Sequence, residues 1–184
     1  MLRLISLKTG LGQTVQAQLY LMQQRHVKDF EGFWRSILHE LGQDDEFWGW
    51  AMKKRLTASD DRFEAYALEF EGLTQGLMWI ETQWHRSWVN SVYRIVYIEA
   101  LASAPWNRRR LEDPPYLDGV GTALLLFARR RSVALGYEGR VGLHALSTSE
   151  GFYERRNMTD YGQDPDKEDL RYFEYGRLLQ PLED

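Results

Sequence analysis

Cysteine is absent from this 184-residue chain. Its absence excludes disulfides, thiolate metal sites and a cysteine nucleophile. No apolar run approaches the ~20 residues that a membrane-spanning helix needs. Residues 1–10 carry Arg3 and Lys8 and lack the long apolar core of a secretion signal. Strong positive charge is missing too. The formal net charge is −4, which argues against nucleic-acid binding through bulk charge. There is no internal repeat and no low-complexity segment. The chain, 1–184, therefore reads as one cytoplasmic domain long enough for a sizeable core. What it has in abundance is aromatic: 14 % of residues, seven of them Trp and ten Tyr. Large aromatics serve a core first and line pockets or partner surfaces second.

Taken in order, Leu2–Leu7 alternates weakly and predicts a first strand, closed by Gly10 and Gly12. From Val15 to Leu41 apolar residues recur at three- and four-residue spacing. That predicts helix, divided at Gly32 and stopped by Gly42. A further helix is expected over 45–55, opened by Asp44-Asp45-Glu46 and carrying Phe47, Trp48 and Trp50. The period then changes to two. Residues 63–71 and 76–82 predict an antiparallel hairpin turning at Gly72–Gly76, followed by a loop to Ser91. Val92–Leu101 is nearly continuous in apolar, β-branched and aromatic residues. It suits a central strand covered on both faces and ended by Pro105.

Trp106–Pro115, with Arg108-Arg109-Arg110, is a polar loop. A helix is expected from Gly119 to Leu135, stopped by Gly136, with Arg129-Arg130-Arg131 on a solvated face. Residues 139–146 form the next strand. Ser147–Glu150 resembles a capping box opening a helix through Arg156, and Leu170–Tyr175 is a last strand. Strands and helices mixed in this order predict an α/β layer.

The stretch Tyr116-Leu117-Asp118-Gly119-Val120-Gly121-Thr122-Ala123-Leu124 stands out. Two glycines at a helix start leave backbone N–H groups bare, which suits a phosphate or pyrophosphate. No Lys-Ser/Thr follows them, so this is not a P-loop. With Val96–Pro105 before it and Phe152-Tyr153-Glu154-Arg155-Arg156-Asn157-Met158 after it, the stretch resembles the GCN5-related N-acetyltransferase (GNAT) superfamily. That superfamily carries Arg/Gln-x-x-Gly-x-Gly/Ala at the start of the helix after its central strand, and a Phe-Tyr-x-x-x-Gly-Phe-like motif on the next helix. The resemblance spans roughly residues 63–162. Residues 1–60 match only in kind, as a variable helical part. Tyr116 stands where the family has Arg or Gln, and Asn157 stands for its glycine. Asn tolerates the left-handed backbone that such a turn needs.

The resemblance implies a central twisted mixed β-sheet with helices on both faces, and transfer of an acetyl group from acetyl-CoA to an amine. No metal is implied. The cofactor would meet Tyr116, Gly119, Val120, Gly121, Thr122 and Ala123, and its thioester oxygen the main chain of Leu101, Ala102 and Ser103. Tyr153 would serve the departing thiolate, a phenol with pKa near ~10. For the base, Glu99 comes first and His144 second, with a water chain as the third choice. The Arg108–Arg110 loop lies on the cofactor side by this resemblance, and the Trp-rich residues near Trp48 and Trp50 wall an acceptor site or serve the core. The acceptor is a small-molecule or peptide amine, and the net negative charge mildly favours a cationic one. The oligomeric state is open, a homodimer included. A GNAT-like module that binds acyl-CoA without turnover is the alternative.

Overall fold

The computed structural model describes residues 1–180. Two compact units divide them: Met1–Trp79 with Ala100–Leu124, and Ile80–Glu99 with the chain from Leu125 onward.

In the first unit, Arg3–Thr9 (β1) pairs antiparallel with Thr14–Leu21 (β2). β2 replaces the helix expected from Val15. Ala17 and Leu19 are buried whereas Gln16 and Gln18 are exposed. The operative period is therefore two, and the wider spacing of Val15, Leu19 and Met22 is fortuitous. Helix starts at Gln24. Gln24–Asp29 (α1) and Arg35–Glu40 (α2) are joined through a π-helical turn, Phe30–Trp34, so Gly32 does not divide them. The N–H of Gln23 donates to His26 Nδ1 at 2.9 Å at the helix start. Gly42, at φ +58°, ends the run as expected. Residues Asp44–Phe47 form only a 3₁₀ turn, and the next helix is Trp50–Ser59 (α3), later than expected. The reason is Asp45: its carboxylate is drawn inward to accept from Arg108 Nη1 at 3.0 Å.

The hairpin consists of Phe63–Phe70 (β3) and Leu73–Glu81 (β4). Its turn is Glu71-Gly72, at φ +52° and +77°, so β4 begins three residues before Gly76. A two-residue turn with both φ positive matches the right-handed twist of a hairpin. The central strand is Val96–Ser103 (β5); Val92–Arg94 are exposed and lie outside it. Leu117–Asp118 (β6) pairs with Thr9 and Lys8 of β1 and leads into Val120–Ala134 (α4). The hydrogen-bonded order in this unit is β6-β1-β2-β3-β4.

Gly76 sets the packing of α4. A Cβ there would lie 2.7 Å from Val120 Cγ1 and 2.9 Å from Leu124 Cδ1. Only glycine lets the first turn of α4 rest directly on β4. The neighbouring Leu77 faces the other way, into a buried cluster with Phe30, Trp34, Leu38, Trp50 and Ala102. Within this unit, α1–α3 therefore cover one face of β4 and the start of α4 the other. Trp50 is fully buried and serves the core, while Phe47 is 81 % exposed. The indole N–H groups of Trp34 and Trp50 are buried without an acceptor among the described residues.

In the second unit, Val141–Ala145 (β7) runs parallel to β5. After Glu150–Glu154 (α5), Thr159–Asp164 (β8) and Leu170–Tyr175 (β9) extend the order to β5-β7-β9-β8. β8 has no counterpart in the sequence reading, because Thr159-Asp160-Tyr161-Gly162-Gln163-Asp164 is polar and mostly exposed. The capping box does not form. Ser147–Ser149 is a 3₁₀ turn, and Ser149 Oγ donates to the Leu146 carbonyl at 2.9 Å. Nor is Arg129 on a solvated face. Its guanidinium lies 4.0 Å over the Tyr175 ring and donates to the carbonyls of Gly139 and Gly176, both at 3.1 Å. Asn157 takes up the left-handed backbone at φ +59°. Mixed pairing, parallel at β5–β7 and antiparallel at β7–β9 and β8–β9, gives the α/β class that the sequence predicts.

Gly76→Val is expected to destabilise the protein by about 1–3 kcal/mol through overpacking against α4. Gly32→Ala, where an added Cβ meets nothing within 4 Å, is expected to be neutral or to stabilise by up to about 1 kcal/mol. Urea unfolding of the two variants against the parent checks both.

Candidate functional site

The glycine stretch is held at both ends. Before it, β6 pairs with β1, and Leu117 donates its N–H to Asn107 Oδ1 at 2.8 Å. Asn107 is buried and its amide donates to Gln75 Oε1 at 2.9 Å, which also accepts from Trp106 Nε1 at 2.9 Å. This network ties the approach of the loop to β4. Gly119 then turns at φ +88°, a backbone that favours glycine, and its carbonyl accepts the Ala123 N–H at 2.9 Å. The first turn of α4 points its N–H groups out of the end of the helix. The dipole adds partial positive charge at the same place. Val120 is buried under the loop, and Gly121, Thr122 and Ala123 are half-buried. Tyr116 is turned elsewhere. It is 42 % exposed, and its hydroxyl donates to Glu71 at 2.6 Å, which raises its pKa.

In the same unit, Leu101, Ala102 and Ser103 close β5. Leu101 and Ser103 are half-buried and Ala102 is buried. Arg108 fixes this end. Its Nε and Nη2 donate to the Ser103 carbonyl at 2.9 and 2.8 Å while it pairs with Asp45. Arg109 pairs instead with Asp118 at 3.0 Å, and Arg110 with Gln43. These arginines brace the loop with partners of their own.

Glu99, His144 and Tyr153 all fall in the second unit. The parallel register of β5 with β7 has three pairs, Val96↔Val141, Tyr97↔Gly142 and Ile98↔Leu143. β7 continues to Ala145 and β5 to Ser103. The ladder thus stops one residue before Glu99 on one strand and His144 on the other. Around that point the side chains form one network. His144 Nδ1 lies 2.7 Å from the Tyr97 hydroxyl, and Nε2 lies 2.9 Å from Asp164 Oδ2. With the carboxylate accepting, Nε2 carries the proton and Nδ1 accepts from Tyr97. Burial lowers the pKa of His144, outweighing the opposing hydrogen bond to Asp164. Burial, and then the charge of Glu99, push Tyr97 far up.

His85 stacks on Tyr97, with centroids 3.8 Å apart and planes 6° apart. Its Nδ1 lies 2.8 Å from Glu81 Oε2. Burial works to raise the Glu81 carboxyl. Hydrogen bonds from His85 and from the main-chain N–H groups of Gln83, Trp84 and His85 outweigh it and hold the pKa at about 2. Trp88 and Tyr172 stack at 4.3 Å beside His144.

Alternation along β9 separates the two halves of this unit. Tyr172 belongs to the imidazole network, whereas its neighbour Phe173 packs on Tyr153 at 5.7 Å. Tyr153 therefore occupies the opposite sheet face from His144. It is 6 % exposed, and burial alone drives its pKa well above the usual phenol range.

No family model and no curated protein matches this sequence. Solved structures do resemble the fold. PaiA N-acetyltransferase from Thermoplasma acidophilum, in complex with coenzyme A, has a TM-score of 0.60 at 10% identity over 87% of this chain and 98% of its own. Aminoglycoside 6'-acetyltransferase type Ii gives 0.59 at 13% identity, over 89% of this chain and 99% of its own. A GNAT-family acetyltransferase from Staphylococcus aureus Mu50 gives 0.58 at 9% identity, over 89% and 99%. The chain has the GNAT fold. Within that fold the structure joins Glu99 and His144 around Tyr97 and separates both from Tyr153. It also adds Glu81, His85, Tyr97 and Asp164, which the sequence reading did not select. The Glu81-x-x-x-His85 spacing and the two-residue step from Tyr97 to Glu99 were available signals. Asp164 had none, since it reaches His144 only through the pairing of β8 with β9.

Two stability outcomes follow from these contacts. Arg108→Ala leaves Asp45, whose side chain is only 8% exposed, without its partner. A loss of about 3–5 kcal/mol is expected in urea unfolding. Glu81 has a folded pKa of about 2 against an ordinary 4.5. Its stabilisation is complete above pH 4.5 and is lost as pH falls through about 2. The Glu81 side chain is 2% exposed, so the effect is on the order of 3 kcal/mol. Glu81→Gln should flatten the acid limb of stability against pH, measured by unfolding midpoints at neutral and acid pH.

Proposed function

We propose that the protein is an N-acetyltransferase that moves an acetyl group from acetyl-CoA to a primary amine by direct attack. The observation that carries this reading is the end of the β5–β7 ladder after Ile98↔Leu143, while both strands continue. Parallel strands that part leave main-chain donors available to a ligand, and here the strand that runs on is followed by a glycine-led helix start. The coenzyme A bound in PaiA N-acetyltransferase supports the same cosubstrate.

In this reading the main chain at the start of α4, from Val120, holds the pyrophosphate, while the Ala123 N–H stays on the Gly119 carbonyl. The N–H groups of Leu101–Ser103 stabilise the thioester oxygen as it gains negative charge. Tyr116 has no part in it beyond leading into the loop, because its hydroxyl is committed to Glu71. The amine, once deprotonated, adds to the thioester carbon; the C–S bond then breaks to release thiolate, and the nitrogen gives its second proton to solvent as the amide forms. Tyr153, with its pKa raised by burial, stays protonated at neutral pH. It is a weaker acid than a thiol of pKa about 8.5. Its role is therefore to donate a hydrogen bond to the departing sulfur, which takes its proton from solvent. The acceptor is an amine of small-molecule or peptide origin.

Thiol release from acetyl-CoA tests the reading. Tyr153→Phe should lower turnover at least tenfold and leave coenzyme A affinity unchanged; unchanged turnover removes Tyr153 from the mechanism. Thr122→Asp places a carboxylate in the first turn of α4, where the dipole favours it but a pyrophosphate does not. It should keep or raise the melting temperature and weaken acetyl-CoA binding at least tenfold in calorimetry. Binding of acetyl-CoA without thiol release against any amine would support the non-catalytic alternative.

A further inference from the structure

The chain has four histidines, and their surroundings differ in kind. His26 is fully buried, with Nδ1 accepting from Gln23 and Nε2 on Glu69 at 2.8 Å. His39 is 77% exposed and pairs with Glu46. His144 is 7% exposed at its side chain and has both nitrogens engaged, on Tyr97 and Asp164. Neither of its nitrogens is open to take a proton from a substrate. His85 combines what the others lack. Its side chain is 33% exposed, its carboxylate partner Glu81 is 2% exposed, and its ring is stacked flat on Tyr97.

Two independent constraints fix this imidazole. Glu81 is held by three main-chain N–H groups, so the carboxylate cannot swing away, and it accepts a hydrogen bond from Nδ1–H. The Tyr97 ring sets the plane. What remains is Nε2, a lone pair with no partner among the described residues. A carboxylate on one nitrogen and an open lone pair on the other is the arrangement of an oriented general base. The ring it stacks on lies at the end of the parallel ladder: Tyr97 is one residue before Ile98, where the pairing with β7 stops.

Resting on the acetyl-transfer reading, we infer that His85, rather than Glu99 or His144, is the general base that takes the proton of the acceptor ammonium, directly or through one water. Glu81 is its positioning residue, supplying the compensating negative charge when Nε2 is protonated. The groups that face the imidazole are Glu81 from β4 and Tyr97 from β5; Glu99 acts on Tyr97, and His144 with Asp164 is reached through the Tyr97 hydroxyl. His85 also disfavours a proton on His144, a smaller effect than burial. The step balances: Nε2 gains the ammonium proton, the neutral amine attacks, and the proton returns to solvent after thiolate departs.

The test has two arms on the full chain. In the first, ¹⁵N–¹H correlation spectra of the imidazoles are recorded near neutral pH without any acceptor. His85 should carry its proton on Nδ1, and Glu81→Gln should redistribute it; a proton resident on Nε2 in the parent overturns the inference. In the second, thiol release from acetyl-CoA is measured with kanamycin, glucosamine 6-phosphate and spermidine. His85→Asn should lower kcat/KM at pH 7 by about 100-fold or more, with coenzyme A affinity unchanged. The deficit should shrink as pH approaches the pKa of the amine, which then needs no base. His144→Asn should show no such recovery. Turnover of His85→Asn within threefold of the parent at all pH values overturns the base and leaves acetyl transfer standing. No thiol release from the parent with any of the three amines counts against the acetyl-transfer reading and the base together.

Discussion

Three residue pairs of parallel ladder, Val96–Ile98 on Val141–Leu143, carry the account of this protein. A longer ladder would engage the β7-facing main-chain donors at the end of β5. A shorter one would leave the second unit without its parallel strand. The β5–β7 pairing stops at Ile98↔Leu143, one residue before Glu99 on β5 and His144 on β7. Tyr97, still inside the ladder, is the platform on which His85 and His144 are organised. In the proposed reaction, backbone geometry rather than any one reactive side chain sets the chemistry in place. That accords with a chain that has no cysteine to offer as a nucleophile.

The supports around the candidate residues are mostly polar contacts made by loops. Arg108 joins Asp45 to the Ser103 carbonyl, and Asn107 joins Gln75 to the Leu117 N–H. Both belong to the stretch after Pro105, which braces the end of β5 and the approach to Gly119. Gly76 does the same for α4 by its lack of a side chain. In the second unit Glu81 and Asp164 are the corresponding fixed points, each holding one imidazole.

Much of this was legible in the sequence where periodicity and punctuation agree. Gly119, Gly136 and Asn157 all sit at positive φ, where the reading needed a turn or a stop. The hairpin was legible from period-two alternation, and the central strand from a nearly continuous run of apolar, β-branched and aromatic residues. β2 was misread because Val15, Leu19 and Met22 satisfy two periods at once, and only pairing with β1 and β3 decides. β6 is two residues long and β8 is polar, so neither has a pattern to read. Tyr153 and Glu99 stood out by motif and by position on a strand. His85 did not, because its partner Glu81 closes one strand and its platform Tyr97 belongs to the next. That coincidence in space is made by the loop over 82–95, which carries no local signal.

Residue-resolved amide chemical shifts during titration with acetyl-CoA test the central claim most directly. The account predicts the largest shifts at Val120–Ala123 and at Leu101–Ser103, with little change along β1 and β2. No perturbation at millimolar acetyl-CoA, or perturbation confined to other segments, would contradict it.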